Sequence, residues 1–394
     1  MMKAVGGGLL TIALFVAALN LRLPINSISP ILESIQKSLG MNSSVASLLT
    51  AIPVLCMGIF SPIAAKLGAR WGIERVLAVS LALIGIGTIF RFFTVSIFSL
   101  ILTAFIAGAG IAAVGPLLSG FIKRYFPAKV PSMVAIYTMA LTIGAALASG
   151  LSAPLQAGMG SWQGALAIWG VFAGIAVLIW MVVLQRIGKQ AHLSAAVQTT
   201  KIPWGNPKAW FLTLSFGLLA MLFYAITAWL PPIIQSMGYS KVYAGNVLTV
   251  FAIVQIPAGM MLRALLKRFP SRLLWLITAS IIELIGFLMI MFAIEPWIAA
   301  IFIGLGAGTL FSLNLLLPID MTSSAQEAAS WAAMTQSVGY IIGATGPIIL
   351  GWIHDATHSF SLAIIGMIVI NVVMIGVQIF AIPRQSKEKV ELSV

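Results

Sequence analysis

Charge is what this chain of 394 residues has least of. Only 8% of its residues are Asp, Glu, Lys or Arg, against roughly 25% in a soluble globular domain. Acids are the scarcer sign, nine against 22 Lys and Arg. A chain this poor in charge cannot cover a water-exposed surface, so a soluble fold is excluded. Cysteine is nearly absent too. The single Cys56 forbids an intramolecular disulfide, and its place in an apolar run reads as an inert buried thiol. The three histidines, His192, His354 and His358, lack ligand spacing, so no metal and no other cofactor is expected. There is no phosphate-binding P-loop, which argues against ATP as an energy source.

What is present is hydrocarbon. The composition is 60% hydrophobic with a mean hydropathy of +1.08, in repeated runs of about 20 residues, the length a helix needs to cross a bilayer. The short alternating segments of a β-barrel are missing. The reading is an all-α polytopic membrane protein. Twelve spans are expected at 9–33, 45–65, 76–94, 97–121, 132–154, 163–184, 209–233, 242–264, 273–293, 297–319, 329–353 and 360–382. Lys3 and the first apolar run have the start of a signal peptide. The run continues past Arg22 without a small-residue cleavage site, so it reads as a retained first span. The longest polar interruption divides the chain into an N-terminal half (1–184), a linker (185–208) and a C-terminal half with a short tail (209–394).

The net charge of +13 raises nucleic-acid binding, but its distribution points elsewhere. With the N-terminus placed in the cytoplasm, only Lys37, Arg91 and Lys241 fall in outer loops. Arg22 lies within a span, and the other Lys and Arg residues lie on the inner side. That is the positive-inside pattern, so both termini are expected in the cytoplasm and the basicity is a topology signal. The expected setting is a bacterial cell membrane, and the expected partners are lipid and a small-molecule solute. A monomer is expected, with no nucleic acid.

The halves repeat. Gly-Ala-Gly at 108–110 recurs at 306–308, and LGMNSSV (39–45) corresponds to MGYSKVY (237–243), both at an offset of 198. Duplicated halves about an axis along the membrane normal are a transporter architecture, with the substrate site near the midplane between them.

Arg22 is the most informative residue. A guanidinium in hydrocarbon costs roughly 2.5–3.5 kcal/mol or more. On a helix Arg22 shares a face with Asn26, Ser29 and Glu33, and Thr11 and Ala18 extend that face. This stripe must face protein or a water-filled cavity. Pro24 and Pro30 can kink the helix and free carbonyls toward it. Arg22 either clamps a buried carboxylate or helix carbonyls, or it binds a small anion. Of the acids only Glu283 is clearly mid-span, which leaves room for a substrate to supply the negative charge. Glu283 is either a proton-coupling carboxylate or a packing hydrogen bond. Glu33 and Asp320 are the alternative proton sites, both near span ends.

Other spans carry neutral polar faces: Tyr224 and Thr227 in span seven, Gln336 and Tyr340 in span eleven, Tyr137 and Thr142 in span five. Such groups can orient a small polar ligand, and each alone can equally be an interhelix bond. His354 and Asp355 close span eleven and read as a helix cap or a gate. An intramembrane enzyme would need clustered nucleophile–base pairs or metal ligands, and none are seen.

At these residues the chain resembles a known family. NLRLPINSISPIL in span one, SSVASLLTAIPVLCMG (43–58), IKRYFPAKV (122–130), WLPPIIQSMGYS (229–240) and MTQSVGYIIGATGPIILGWIHDAT (334–357) are similar to the cyanate permease / 2-nitroimidazole transporter (CynX/NimT) family of the major facilitator superfamily. The resemblance implies two six-helix bundles working by alternating access. It implies a transporter. The polar faces of the spans themselves, Arg22 first, lead to the expectation of a small anionic or polar solute, with Arg22, Asn26, Tyr137, Tyr224, Gln336 and Tyr340 as candidate binding residues. The alternative cargo is a nitroimidazole-like or other aromatic drug, exported with proton coupling. One stretch departs from the superfamily pattern: Ala69-Arg70-Trp71-Gly72-Ile73-Glu74-Arg75 lacks the usual Asp, with Glu74 as its nearest replacement.

Overall fold

A computed structural model describes residues 7–187, 202–322 and 325–381. Among these, twelve helices are long and apolar enough to cross a bilayer. Spans one to six are Gly7–Leu39, Ser43–Gly68, Ile73–Phe93, Ile97–Tyr125, Ser132–Met159 and Trp162–Arg186. Spans seven to twelve are Pro207–Ser236, Lys241–Arg268, Arg272–Met291, Pro296–Pro318, Ser330–Thr357 and Phe360–Phe380. No strand occurs among the described residues. Of the linker expected over 185–208, residues 188–201 lie outside the described residues.

The first turn of a helix has backbone N–H groups without helical partners, and polar side chains meet them at the span starts. Asn42, Ser240 and Ser271 each accept from a backbone N–H three residues on, and Ser96 and Ser99 form a reciprocal capping box.

One buried core is built from spans one to six, including Leu14, Ile84, Val114, Phe121 and Trp180. A second centres on spans seven to twelve, with Leu222, Phe251, Leu276 and Leu310, and it takes in Ile31, Ile35 and Leu49 from the first half. The two bundles therefore share a core where span one ends and span two begins. That is the membrane face opposite the chain termini.

Small residues set the repeat more finely than the offset of 198 suggests. A Cβ added at Gly108 would lie 2.7 Å from Pro53 Cα of span two, and one at Gly110 would lie 2.5 Å from the Ser80 carbonyl of span three. In the second half the corresponding contacts are made by Gly304, against Phe251 of span eight, and Gly306, against Ala279 of span nine. The equivalent of Gly108/Gly110 is thus Gly304/Gly306, two residues earlier than the Gly-Ala-Gly match implies. Helix backbones touch at these points. We expect Gly306→Val to cost about 1–3 kcal/mol by overpacking, read as a lower melting temperature of the purified protein in detergent.

Span one is expected as one helix over 9–33, and it is broken instead. Helix Gly7–Leu19 stops, Leu23–Asn26 forms a single turn, Ser29–Ile31 is a tight 3₁₀ turn, and Leu32–Leu39 completes the crossing. The prolines are the cause: Pro24 offers no N–H to the Asn20 carbonyl, and Pro30 none to that of Asn26. Arg22 lies at the first break.

Candidate substrate-binding site

Despite its breaks, span one turns Arg22, Ser29 and Glu33 of its polar stripe to the second half. Arg22 Nη1 donates to Tyr224 Oη of span seven at 3.4 Å, and Ser29 Oγ donates to the Ala228 carbonyl at 2.7 Å. Glu33 lies 3.8 Å from Lys241 of span eight. Thr11 is the exception and turns to Met133 of span five.

The Arg22 guanidinium lies over two aromatic faces, 4.9 Å from the Phe223 ring centroid and 5.7 Å from that of Tyr224. Such contacts are worth about 2 kcal/mol when desolvated. Tyr224 is buried, and its hydroxyl also reaches Met57 Sδ of span two at 3.7 Å. Its ring stands edge-on to Tyr340, with centroids 6.3 Å apart, and Tyr340 packs on Phe216 at 5.4 Å. Phe311 of span ten and Val54 of span two join this cluster. Tyr137 of span five and Tyr340 both lie within electrostatic reach of Arg22. The tertiary structure therefore brings together Arg22, Tyr137, Tyr224 and Tyr340. Gln336 lies half-buried one turn before Tyr340. Asn26 is buried, and its Oδ1 has no partner among the described residues.

None of the ion pairs among the described residues involves Arg22. Five acids among the described residues are engaged elsewhere. Glu33 pairs with Lys37 at 2.5 Å and Asp320 with Arg272 at 2.7 Å, all four partly exposed. Glu74 accepts from Tyr125 Oη at 2.6 Å and lies 3.5 Å from Arg124, both on span four, so it ties one half to itself. Glu295 accepts from Tyr243. Glu283 is buried and accepts from Asn371 Nδ2 of span twelve at 2.9 Å. A half-buried cation held by ring faces and one phenol has donors to spare, which is the electrostatic form of an anion site.

Asp355 caps a helix of the other half. Its two carboxylate oxygens accept from the Ser43 and Ser44 amides at 2.7 Å each, and from Ser44 Oγ at 2.6 Å. His354 Nδ1 lies 2.8 Å from Ser43 Oγ. This joins the end of span eleven to the positive N-terminal end of span two. The Lys241–Glu33 pair and a Lys241–Ser34 bond at 2.7 Å lie on the same face. Nearer the middle, Ser337 Oγ donates to the Gly58 carbonyl at 2.6 Å. Among the described residues these polar contacts between the halves thus run from mid-span to the face opposite the termini.

Sequence reasoning missed Phe223, Met57, Phe216 and Phe311, because neighbours of a polar residue along a helix point away from its face. It also placed Arg91 in an outer loop, whereas Arg91 is 0% exposed. The available signal was its setting, Phe-Arg-Phe-Phe at 90–93, where a guanidinium has apolar neighbours on both sides.

The Major Facilitator Superfamily model matches residues 10–344. The chain is 31% identical over 360 residues to the 2-nitroimidazole transporter of Escherichia coli (strain K12), covering 91% of each chain. It is 28% identical over 369 residues to the cyanate transport protein CynX of the same organism, covering 91% of this chain and 95% of that one. The nucleoside transporter NupG shares the fold, with a TM-score of 0.78 at 12% identity over 95% of this chain and all of that one. Twelve apolar helices in two bundles, together with these matches, make the chain a multi-pass membrane protein and a secondary transporter of the Major Facilitator Superfamily, in its CynX/NimT line.

Proposed function

We propose that the cargo is a small anion of cyanate-like size and charge, bound by Arg22 and moved by alternating access of the two bundles. One observation carries this reading: Arg22 is held at the interface between the halves by aromatic faces and a phenol instead of a carboxylate. Tyr137, Tyr224 and Tyr340 orient the cargo from three spans, with Asn26 and Gln336 as further polar groups beside the same path. The Asp355 cap is the closure of the face away from the termini. The positive-inside pattern makes that the outer face of a bacterial cell membrane and puts both termini in the cytoplasm. The working unit is one chain, with bundles over 1–184 and 209–394 joined by a cytoplasmic linker. The similarity to a cyanate transport protein supports the cargo class.

The test is uptake of labelled cyanate into proteoliposomes of the purified protein across imposed pH gradients. Saturable uptake competed by unlabelled cyanate is the expected result. Uptake no greater than in empty liposomes, with folded protein confirmed, sinks the cyanate reading. A second reading, export of a nitroimidazole-like aromatic drug, is favoured by the rings of Phe216, Phe223, Tyr224, Phe311 and Tyr340 around the site. The similarity to a 2-nitroimidazole transporter supports it. Drug counterflow in the same liposomes decides between the two.

Proton coupling has three candidates. Glu33 and Asp320 are engaged in partly exposed ion pairs. Glu283 bonds Asn371 between spans nine and twelve, and we read it as a packing bond. An amide keeps that geometry, so Glu283→Gln is expected to transport within about twofold of the wild type with the same pH dependence. Loss of gradient dependence in this variant would instead make Glu283 the coupling acid.

A further inference from the structure

A second guanidinium lies at the break in span one. Arg91 follows the end of the helix Ile73–Ile89, in the tight turn Phe90–Phe93, and is wholly buried. Its Nη1 donates to the Pro24 carbonyl at 2.8 Å, while no acid pairs with it among the described residues. That carbonyl is free because of the break. The Ile28 N–H, its partner in an unbroken helix, turns to the Ile25 carbonyl at 3.5 Å, and among the described residues only Ser27 Oγ, also at 3.5 Å, otherwise donates to the Pro24 carbonyl. A buried carbonyl without a donor is costly, and a charged donor is among the strongest that can meet it.

The segment Arg91 grips is the one that carries the site. Pro24 is two residues from both Arg22 and Asn26, and the Arg22 carbonyl accepts from the Ile25 and Asn26 amides at 3.2 and 2.9 Å. Several backbone bonds here are long, with Arg22 N to Leu19 O at 3.4 Å and Ser27 N to Leu23 O at 3.3 Å. The turn therefore has little rigidity of its own. Arg91 itself is anchored, since Thr94 Oγ1 donates to its carbonyl at 2.6 Å and Ser96 opens the next helix with a capping box.

We infer that Arg91 is a positioning residue for the anion site: its bond to the Pro24 carbonyl holds the broken turn in the one conformation that aims Arg22 at Tyr224. The inference rests on the reading of Arg22 as the substrate cation. It assigns the carbonyl-clamping role to Arg91 and leaves Arg22 free for the solute. Displacement of a binding group by about 1 Å is enough to cost a hundredfold, so a loosened turn raises KM while leaving the bundle intact.

The test uses purified wild type, Arg91→Gln, Arg91→Lys and Arg22→Gln, with two readouts. The first is hydrogen–deuterium exchange of peptides covering residues 20–31, without solute. It tests the grip on Pro24 whatever the cargo is. Arg91→Gln should raise exchange there by about tenfold and leave spans two and seven unchanged. The second is labelled cyanate uptake. Arg91→Gln should raise KM by about tenfold or more with maximal rate within about threefold, and Arg91→Lys should raise KM by about threefold, because it keeps one donor without the planar fork. Unchanged exchange over 20–31 in Arg91→Gln overturns the proposal, as does unchanged KM where the wild type transports. Exchange that rises equally in every span also overturns it, since that is general destabilisation. Should Arg91→Gln fail to purify, Arg91→Lys decides: wild-type exchange and wild-type KM in that variant overturn the proposal. Raised exchange at the break with no saturable cyanate uptake by wild type supports the clamp and overturns the cargo reading.

Discussion

Arg22→Gln is expected to insert, fold and melt like the wild type while losing saturable anion uptake by about a hundredfold or more. Two physical arguments combine. Removing one member of a buried ion pair strands the other and costs about 3–5 kcal/mol, but no ion pair among the described residues involves Arg22. What is lost inside the protein is one long bond to Tyr224 and contact with the Phe223 and Tyr224 rings. The Tyr224 hydroxyl keeps Met57 beside it. Removing an apolar-facing charge also relieves desolvation, which offsets part of that loss. For a bound anion the account is different. Each hydrogen bond to a charged group is worth about 1.5–3 kcal/mol, so losing two removes on the order of a hundredfold or more in affinity. Arg22→Lys keeps the charge but not the fork, and should fall between, near tenfold. Uptake kinetics with melting temperatures of the same samples check this. Wild-type uptake by Arg22→Gln sinks the anion-site reading, and a variant that fails to fold makes Arg22 a structural clamp.

Asp355→Ala is expected to open the face opposite the termini. The side chain makes three charge-assisted hydrogen bonds to the first turn of span two, across the two halves. Loss of a helix cap alone costs about 0.5–2 kcal/mol. Because the cap spans the interface, that cost falls on the closed arrangement only, so the equilibrium between closed and open should move by about tenfold. Spin labels at Ser38→Cys and Ser236→Cys report it in a Cys56→Ser background, since both positions are exposed and flank the interface. The wild type should give mainly the shorter distance, and Asp355→Ala should add a longer population. Asp355→Asn should be intermediate, because a neutral amide still accepts from the two backbone N–H groups. A distance distribution that does not change in Asp355→Ala excludes this contact as the closure.

How far the site could be read from the sequence differs residue by residue. The stripe Arg22, Ser29, Glu33 was legible, and these side chains do turn to spans seven and eight. A helical period survives short proline breaks when the polar face has one place to go. Asp355 was legible as a cap, but its helix was not, because Ser43 lies 312 residues away along the chain. Arg91 was misread as a loop cation because position in a short connection says nothing about depth. The glycine repeat was legible as a repeat and wrong by two residues in register, because similarity of letters does not report which neighbour each glycine touches.

The sequence by itself determined the solvent and the spans, since run length, hydropathy and helical period act over a few turns of one helix. It also marked Arg22 as a residue that could not face lipid. Only the tertiary structure decided what meets that guanidinium, 202 residues on at Tyr224, and which other arginine clamps the turn beneath it. Those choices depend on how helices distant along the chain cross, and a cation in hydrocarbon takes its partner from whichever span the packing brings beside it.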